Sequence, residues 1–365
     1  MPNNLFGDRR AAIRENVIAA KLDALLISGL PNIRYLTGFT GSSGLMLLRR
    51  DGRSILLTDP RYDVQAREQA AAADCVVRIA KGPLVRAAST ALKRWHPRKV
   101  GFELARMSYQ NFSALAEALR GRPELVPTPG WVEQRRMVKS AGEIEAIRQS
   151  VRVNSRAFDR ALRLLRPGKT TEGELAAELD YQMRKLGAEG AAFETIVASG
   201  ARAALPHARP TRSVIPADAL LLIDMGAVVD GYSSDMTRVV FTGAPREAVR
   251  RAYAAVLEAQ LAAVDAVRPG VKAADIDRAA RSVLERHRLA KAFTHSTGHG
   301  LGLEIHEAPR LGRTEKSRLE QGMTVTIEPG VYLEGQFGIR IEDTVLVTAH
   351  GCEILTPTAK ELRTV

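Results

Sequence analysis

Four acidic residues stand in two look-alike strand-turn-strand segments. Asp224 and Asp235 lie in LLLIDMG…YSSDMT, and Glu328 and Glu342 in TVTIEPG…IRIEDT. In each segment one acid follows an apolar run and the second sits on the strand that comes next. Between the segments runs STGHGLGLEIHE, with His299 and His306 seven residues apart. Four carboxylates and an imidazole are the donors that a pair of divalent cations takes, and such a pair activates water for hydrolysis. A strand acid taken alone reads as a turn cap or a salt-bridged group. Four of them beside LLLI, VTI and GIRI do not, because charge buried among apolar residues must be neutralised. His299, set between Gly298 and Gly300 where backbone and ligand can approach closely, supplies the nitrogen donor that the acids lack.

Whether the acids meet is a question of sheet register. Asp230-Gly231 is a two-residue hairpin signal, so Val229 pairs with Tyr232 and, counting back, Asp224 pairs with Thr237. Asp235 is two residues from Thr237 and shares its face. The two carboxylates are then diagonal neighbours with Cβ atoms roughly 7 Å apart. That spacing lets them converge on one ion or bridge two that are ~3.5–4 Å apart. In the second segment Arg340 shares the face of Glu342 and is expected to hold a ligand carboxylate by a charge-assisted bond.

The elements that must deliver these residues come in two rounds. A capping-box start at SAGE opens a helix from Ser140, with Ile144, Ile147, Val151, Phe158, Leu162 and Leu165 near a 3.6-residue period. RPG at 166–168 stops it, TTEGE opens a second helix to about Leu186, and strands occupy much of 190–242. The second round has a helix from Glu247, RPG at 268–270, a helix through about His287, and strands through 347. The two RPG stops are 102 residues apart, IDMG and IEPG 104, and DMT and EDT 107. A long period with two copies points to a duplicated half-domain, whose halves would bring their acid-bearing hairpins face to face. Ahead of it, residues 1–130 alternate helical and strand patterns and read as a separate, smaller α/β domain. They include a hairpin through Asp51-Gly52, the strands ALLIS, CVVRI and KVGFE, and the helices DVQAREQAAA and SYQNFSALAEALR. The boundary is set at RGRPELVPTPGW, with its three prolines and two glycines, leaving 131–365 as the second domain.

Composition narrows the function classes. Hydrophobic residues make up 45% of the 365 and charged residues 26%, as in ordinary globular chains. The net charge of +12 is spread along helices such as ERHRLAK, and aromatics are only 5%, without the clustering that nucleic-acid binding requires. Cys75 and Cys352 match no metal or redox spacing, which fits a reducing compartment. The charged N-terminal stretch MPNNLFGDRRAAIRENV does not read as a signal peptide, and no apolar run approaches the ~18 residues of a membrane span. The expectation is a cytoplasmic protein without nucleic-acid or membrane partners.

Taken together, DMGAVVDGYSSDMTR, HSTGHGLGLEIHEAPR, TIEPGVY and GIRIEDTVLV resemble the Xaa-Pro peptidases, namely prolidase, aminopeptidase P and their relatives of pita-bread fold. The resemblance runs from about Val132 onward, and NIRYLTGFTGSSG…LLTDPRY resembles the smaller domain that precedes the catalytic one in that family. It implies an α+β chain with a creatinase/prolidase-type N-terminal domain that restricts access and supports a homodimer. It implies a dinuclear site of Asp224, Asp235, His299, Glu328 and Glu342, with Asp235 and Glu342 bridging. His207, His295 and His306 match substrate-facing histidines, Phe193 an aromatic wall, and Arg310 an arginine for the substrate's C-terminal carboxylate. Arg340 joins this substrate-binding set in the expectation. Glu328 is then the general base, with His306 and His207 assisting. A carboxylate-rich, single-imidazole set suits Mn²⁺, with Co²⁺, Zn²⁺ or Fe²⁺ as alternatives. The expected reaction is hydrolysis of Xaa-Pro dipeptides, the alternative being an Xaa-Pro aminopeptidase on longer peptides. A methionine aminopeptidase and a non-catalytic binding module on the same fold are the remaining readings. In the first domain Arg34, Arg61 and Tyr62 are candidates for reaching an active site, against a structural role.

Overall fold

The computed structural model describes residues 5–71 and 73–365 and divides into two compact units, Met1–Arg136 and Met137–Val365. Residues 1–4 of the N-terminal stretch, and Ala72 at the end of the expected helix DVQAREQAAA, lie outside the described residues.

In the first unit a six-stranded sheet is built from β1 (Ala24–Ile27), β2 (Leu45–Arg49), β3 (Ser54–Thr58), β4 (Val76–Ile79), β5 (Lys99–Glu103) and β6 (Glu124–Thr128), in the order β4-β3-β2-β1-β5-β6. The central strands are buried along nearly their whole length and read as continuous apolar runs, as strands covered on both faces must. The helices are α1 (Leu5–Ala19), α2 (Leu30–Thr37), α3 (Asp63–Ala71), α4 (Leu84–Trp95), α5 (Tyr109–Leu119) and α6 (Trp131–Met137). Strand β6 falls within the proline-rich segment read from sequence as the boundary. Among the described residues it pairs only with β5, an edge position where Pro127 can be tolerated. Arg61 is committed to Asp59 at 2.9 Å, and the Tyr62 hydroxyl lies 2.7 Å from Ser42 Oγ.

The second unit shows two rounds of helix pair and sheet. α7 (Ala141–Leu162) starts at the Ser140–Glu143 capping box and α8 (Glu172–Lys185) at a Thr171–Glu174 box. The first-round strands are β7 (Gly190–Ala191), β8 (Ile196–Ser199), β9 (Leu220–Met225), β10 (Ala227–Val229), β11 (Tyr232–Ser233) and β12 (Met236–Phe241). The second round has α9 (Glu247–Asp265) and α10 (Ala273–Arg286). Its strands are β13 (Gly298–Gly300), β14 (Glu307–Leu311), β15 (Thr324–Ile327), β16 (Gly330–Leu333), β17 (Phe337–Arg340), β18 (Asp343–Val347) and β19 (Cys352–Ile354). β20 (Arg363–Thr364) returns to the first round, completing a sheet of order β20-β12-β9-β8, while the second round forms β14-β13-β15-β18-β19.

Alternation along β9 sets which way each side chain looks. Leu221, Ile223 and Met225 pack with Phe158, Leu162, Leu175 and Leu179 of α7 and α8. Leu220 and Leu222 belong instead to the core shared with α9, α10 and the second-round strands. Asp224 has their parity, so it faces inward, toward the other half. By the same rule Val325 and Ile327 join the core beneath α9 and α10, which leaves Thr326 and Glu328 on the opposite face. Among the described residues no helix is long and apolar enough to cross a membrane.

Candidate metal centre

The hairpin delivers the first two acids in the register that its turn requires. Asp230 and Gly231 adopt φ of +49° and +72°, the left-handed pair of a type I′ turn. Val229 faces Tyr232 and Asp224 faces Thr237. Glu328 follows β15 directly, and Glu342 lies between β17 and β18. His299 is the middle residue of β13, between β14 and β15. A Cβ at Gly298 would overlap the Thr326 carbonyl and one at Gly300 the Ala308 carbonyl, so both glycines let the strands close around the histidine.

Donor atoms of Asp235, His299 and Glu342 lie within 4.8 Å of one another. His299 Nε2 is 3.6 Å from Asp235 Oδ2 and 3.4 Å from Glu328 Oε1. Its Nδ1 is 2.9 Å from the Gly300 carbonyl, which can only accept, so that nitrogen carries the proton. The Nε2 lone pair therefore looks at two carboxylate oxygens. Acceptor facing acceptor is sensible only with a cation between them. Asp224 Oδ1, buried and without a hydrogen-bond partner among the described residues, is a second donor of this kind. The residues thus fit a divalent-metal site.

The electrostatics agree. Burial, followed by the charges of Glu342, Asp224 and Glu328, holds the Asp235 carboxyl well above the ordinary range. Glu342 is raised likewise, by burial and then by Glu328 and Asp224. Burial pushes Glu328 up to about 7 although Arg340 opposes it. His299 falls to about 4, chiefly through burial, and is a neutral imidazole near pH 7. Arg340 is buried beside the cluster, with NH2 donating to Asp224 Oδ2, Nε to Thr237 Oγ1 at 2.9 Å and NH1 to the Tyr332 hydroxyl at 2.6 Å. Its donors are directed at protein acceptors, a positioning arrangement rather than an open substrate contact.

The halves also support each other's ligands. Thr237 Oγ1 donates to Glu342 Oε2 at 2.7 Å, and Thr344 Oγ1 to the Asp235 carbonyl at 3.0 Å. These are the threonines two residues after Asp235 and Glu342, a spacing visible in SDMT and EDT. Sequence reasoning passed over both, and over Tyr332. That hydroxyl accepts from Arg340 and lies 2.9 Å from His295 Nε2, while His295 Nδ1 lies 2.8 Å from the Ser296 carbonyl. His295 therefore carries its proton on Nδ1 and accepts from Tyr332. Burial, then Arg340, lowers it to about 4 and keeps it neutral.

A cavity of about 850 Å³ opens on the cluster, lined by its four acids and imidazole together with Phe193, His207, His295, His306, Arg310 and Arg340. The His299 and His306 rings are 4.4 Å apart at 65°. His306 lies below the ordinary histidine value because it is partly buried, against the pull of Asp224. Arg310 sits opposite His299 on β14, exposed, with Nε 3.3 Å from Ser296 Oγ. An exposed Arg209–Glu194 pair at 3.3 Å, not foreseen from sequence, also lines the cavity.

Comparison with known proteins places this geometry. Residues 145–349 match metallopeptidase family M24, and residues 9–138 match the creatinase/prolidase N-terminal domain. The chain is 34% identical to an Xaa-Pro dipeptidase of Pyrococcus horikoshii over 98% of this chain and 99% of that one. The solved Xaa-Pro dipeptidase from Bacillus anthracis superposes with a TM-score of 0.94 at 36% identity, covering 98% of this chain and 99% of that one. An X-Pro aminopeptidase from Thermotoga maritima gives 0.88 at 38%, covering 97% and 100%. A creatinase/prolidase-type N-terminal domain followed by a pita-bread unit with a buried donor cluster makes the chain a member of metallopeptidase family M24.

Proposed function

We propose that the protein hydrolyses the peptide bond preceding proline in Xaa-Pro dipeptides. The observation that carries this reading is the convergence of the Asp235, His299 and Glu342 donors within 4.8 Å in a histidine-lined pocket. Asp224, Asp235, His299, Glu328 and Glu342 would hold two divalent ions, with Asp235 and Glu342 shared and Mn²⁺ favoured by the oxygen-rich set. Such ions, when bound, lower the pKa of water and polarise a carbonyl. Glu328, beside His299 at the floor of the pocket, takes a proton from the attacking water and passes it to the proline nitrogen as the C–N bond breaks. His306 offers an N–H to the carbonyl oxygen as charge builds there, and exposed His207 helps to hold the peptide. Tyr332, donating to His295, fixes that ring's tautomer and orientation. Proline's nitrogen has no N–H to donate, so its ring is recognised by shape, with Phe193 as a wall. Arg310 receives the C-terminal carboxylate.

The cavity's size favours a second reading. About 850 Å³ lies near the top of the ~300–1,000 Å³ range of pockets for drug-sized ligands and leaves room beyond a dipeptide. That room suits an Xaa-Pro aminopeptidase acting on longer chains. Rates on Xaa-Pro against Xaa-Pro-Yaa tripeptides separate the two. Arg310→Met should raise KM for the dipeptide more than for the tripeptide, and equal effects on both would remove Arg310 from carboxylate recognition. Restriction of access and homodimer formation by the first unit, and a cytoplasmic location, belong to the same proposal. Loss of the dimer on deleting residues 1–136, seen by light scattering, would support the second role of that unit.

A further inference from the structure

Behind the acids lies a buried charge group that the proposed reaction does not use. Strand β12 begins one residue after Asp235 and β18 one residue after Glu342, so each half delivers one acid at a strand start. Arg238 of β12 and Asp343 of β18 meet there at 2.7 Å, with side chains 3% and 0% exposed. Arg238 NH1 also donates to the carbonyls of Thr237 and Glu342, which ties the backbone of the acid in one half to a strand of the other. Its remaining donors go to the closing segment, Nε to the Ala359 carbonyl at 3.0 Å and NH2 to the Thr358 carbonyl at 2.6 Å.

The same segment supplies a second cation. Lys360 Nζ donates to Asp343 Oδ2 at 2.8 Å and to Gln260 Oε1 at 3.0 Å, and Gln260 Nε2 donates to Asp343 Oδ2 at 2.8 Å. The Tyr253 hydroxyl pins the Lys360 carbonyl at 2.6 Å. Further on, β20 pairs with β12, and Val365 N donates to the Phe241 carbonyl at 2.9 Å. Residues 358–365 thus lace β12 to β18 at the level where Asp235 and Glu342 emerge.

We propose that Lys360 is a positioning residue for Glu342, holding its backbone so that the carboxylate is aimed at a divalent cation. This rests on the reading of Glu342 as a metal ligand. Two effects of the ammonium oppose each other. As a positive charge near the site it repels a cation. As the partner of Asp343 it keeps Arg238, and through it the Glu342 carbonyl, in place. Residues that hold a metal ligand in place carry roughly tenfold or more of metal affinity, and Lys360 reaches Glu342 through Asp343 and Arg238. The orientation effect is the larger, because Lys360 holds Asp343 of β18, Asp343 holds Arg238 of β12, and Arg238 holds the Glu342 carbonyl.

The test is Mn²⁺ binding to metal-stripped full-length protein by chelator competition, with the fold followed by circular dichroism. Lys360→Met should weaken Mn²⁺ roughly tenfold, while Lys360→Arg, which keeps a cation there, should stay within about threefold of the original protein. Unchanged or tighter Mn²⁺ binding by Lys360→Met, with only a lower melting temperature, would overturn the inference. Should Lys360→Met fail to fold, Tyr253→Phe must weaken Mn²⁺ by about threefold, and unchanged affinity there overturns it equally. Glu342→Gln serves as the reference. If it binds Mn²⁺ normally, the ligand assignment itself fails, whereas loss in Glu342→Gln with none in Lys360→Met removes only the role of Lys360.

Discussion

Helix α10 grips the segment that carries His295, and removing that grip should be costly. Asp277 and Arg281 lie one turn apart and pair at 2.6 Å, with side chains 1% and 15% exposed. Asp277 Oδ1 accepts from Thr297 Oγ1 at 2.9 Å and from Thr297 N at 3.2 Å. Arg281 donates to the carbonyls of Phe293, at 3.0 Å, and His295, and its guanidinium lies 4.1 Å from the Phe293 ring centre. The Thr297 carbonyl then accepts from Glu328 N at 2.8 Å. Arg281→Met leaves Asp277 buried without its cation, a loss of ~3–5 kcal/mol in buried pairs. Partial exposure of Arg281 admits water and puts this near the lower end. Two carbonyls lose their donors as well, each worth about 1 kcal/mol when water does not replace them. The sum, about 5 kcal/mol, should lower the melting temperature of the metal-free protein by roughly 10 °C. Asp277→Asn and the double variant close a cycle, read by urea unfolding, with an expected coupling of about 2 kcal/mol. Arg278, on the same helix but paired to Asp275 with 71% and 39% exposure, is the control, and its Met variant should change stability by less than about 0.5 kcal/mol. Additivity of the two substitutions within about 0.5 kcal/mol would refute the clamp.

Two further outcomes follow from the same geometry. Gly298→Ala should abolish Mn²⁺ binding or prevent folding, because the new methyl group overlaps the Thr326 carbonyl between β13 and β15, and normal binding would show that this close approach is not needed. Glu172 is fully buried and accepts from Ser199 N at 2.9 Å, Thr211 Oγ1 at 2.7 Å and Arg202 Nε at 3.1 Å, bracketing the loop that bears His207. Burial alone would raise its pKa, yet the donations of Thr211 and Ser199 and the charge of Arg202 outweigh it and hold the carboxyl below the ordinary value. Its stabilisation is therefore present above the unfolded value of ~4.3 and is lost as pH falls through the lower folded value. Glu172→Gln should be less stable at pH 7 by about 2 kcal/mol, with the gap narrowing on acidification. A gap constant from pH 7 into the acid range would contradict this.

Features set by local chemistry were legible in the sequence. A two-residue turn admits one register, so the pairing of Asp224 with Thr237 followed from Asp230-Gly231 alone. Capping boxes marked the starts of α7 and α8, RPG stops followed α7 and α9, and the recurrence of RPG and of the acid-bearing motifs announced the duplication. What stayed hidden depends on partners about a hundred residues apart. Thr237, Thr344 and Arg340 act across the halves, and no local pattern tells a strand threonine that serves a ligand from one that packs. Arg340 was expected to hold a carboxylate, but that the carboxylate is Asp224 emerges only when β17 crosses beside β9. Asp277 and Glu172 look like ordinary acids near the starts of amphipathic helices, and their burial is a tertiary fact. In the first unit α2 spans eight residues, too few for a periodic signal, and β6 was masked by prolines that an edge strand tolerates.

The most direct measurement is hydrolysis of Met-Pro against Met-Ala-Ser by the Mn²⁺-loaded protein, before and after Glu328→Gln. Cleavage of Met-Pro in preference to Met-Ala-Ser, lost in the Gln variant while its Mn²⁺-free fold persists, is the predicted result. Preference for Met-Ala-Ser, or full activity in Glu328→Gln, would contradict the account.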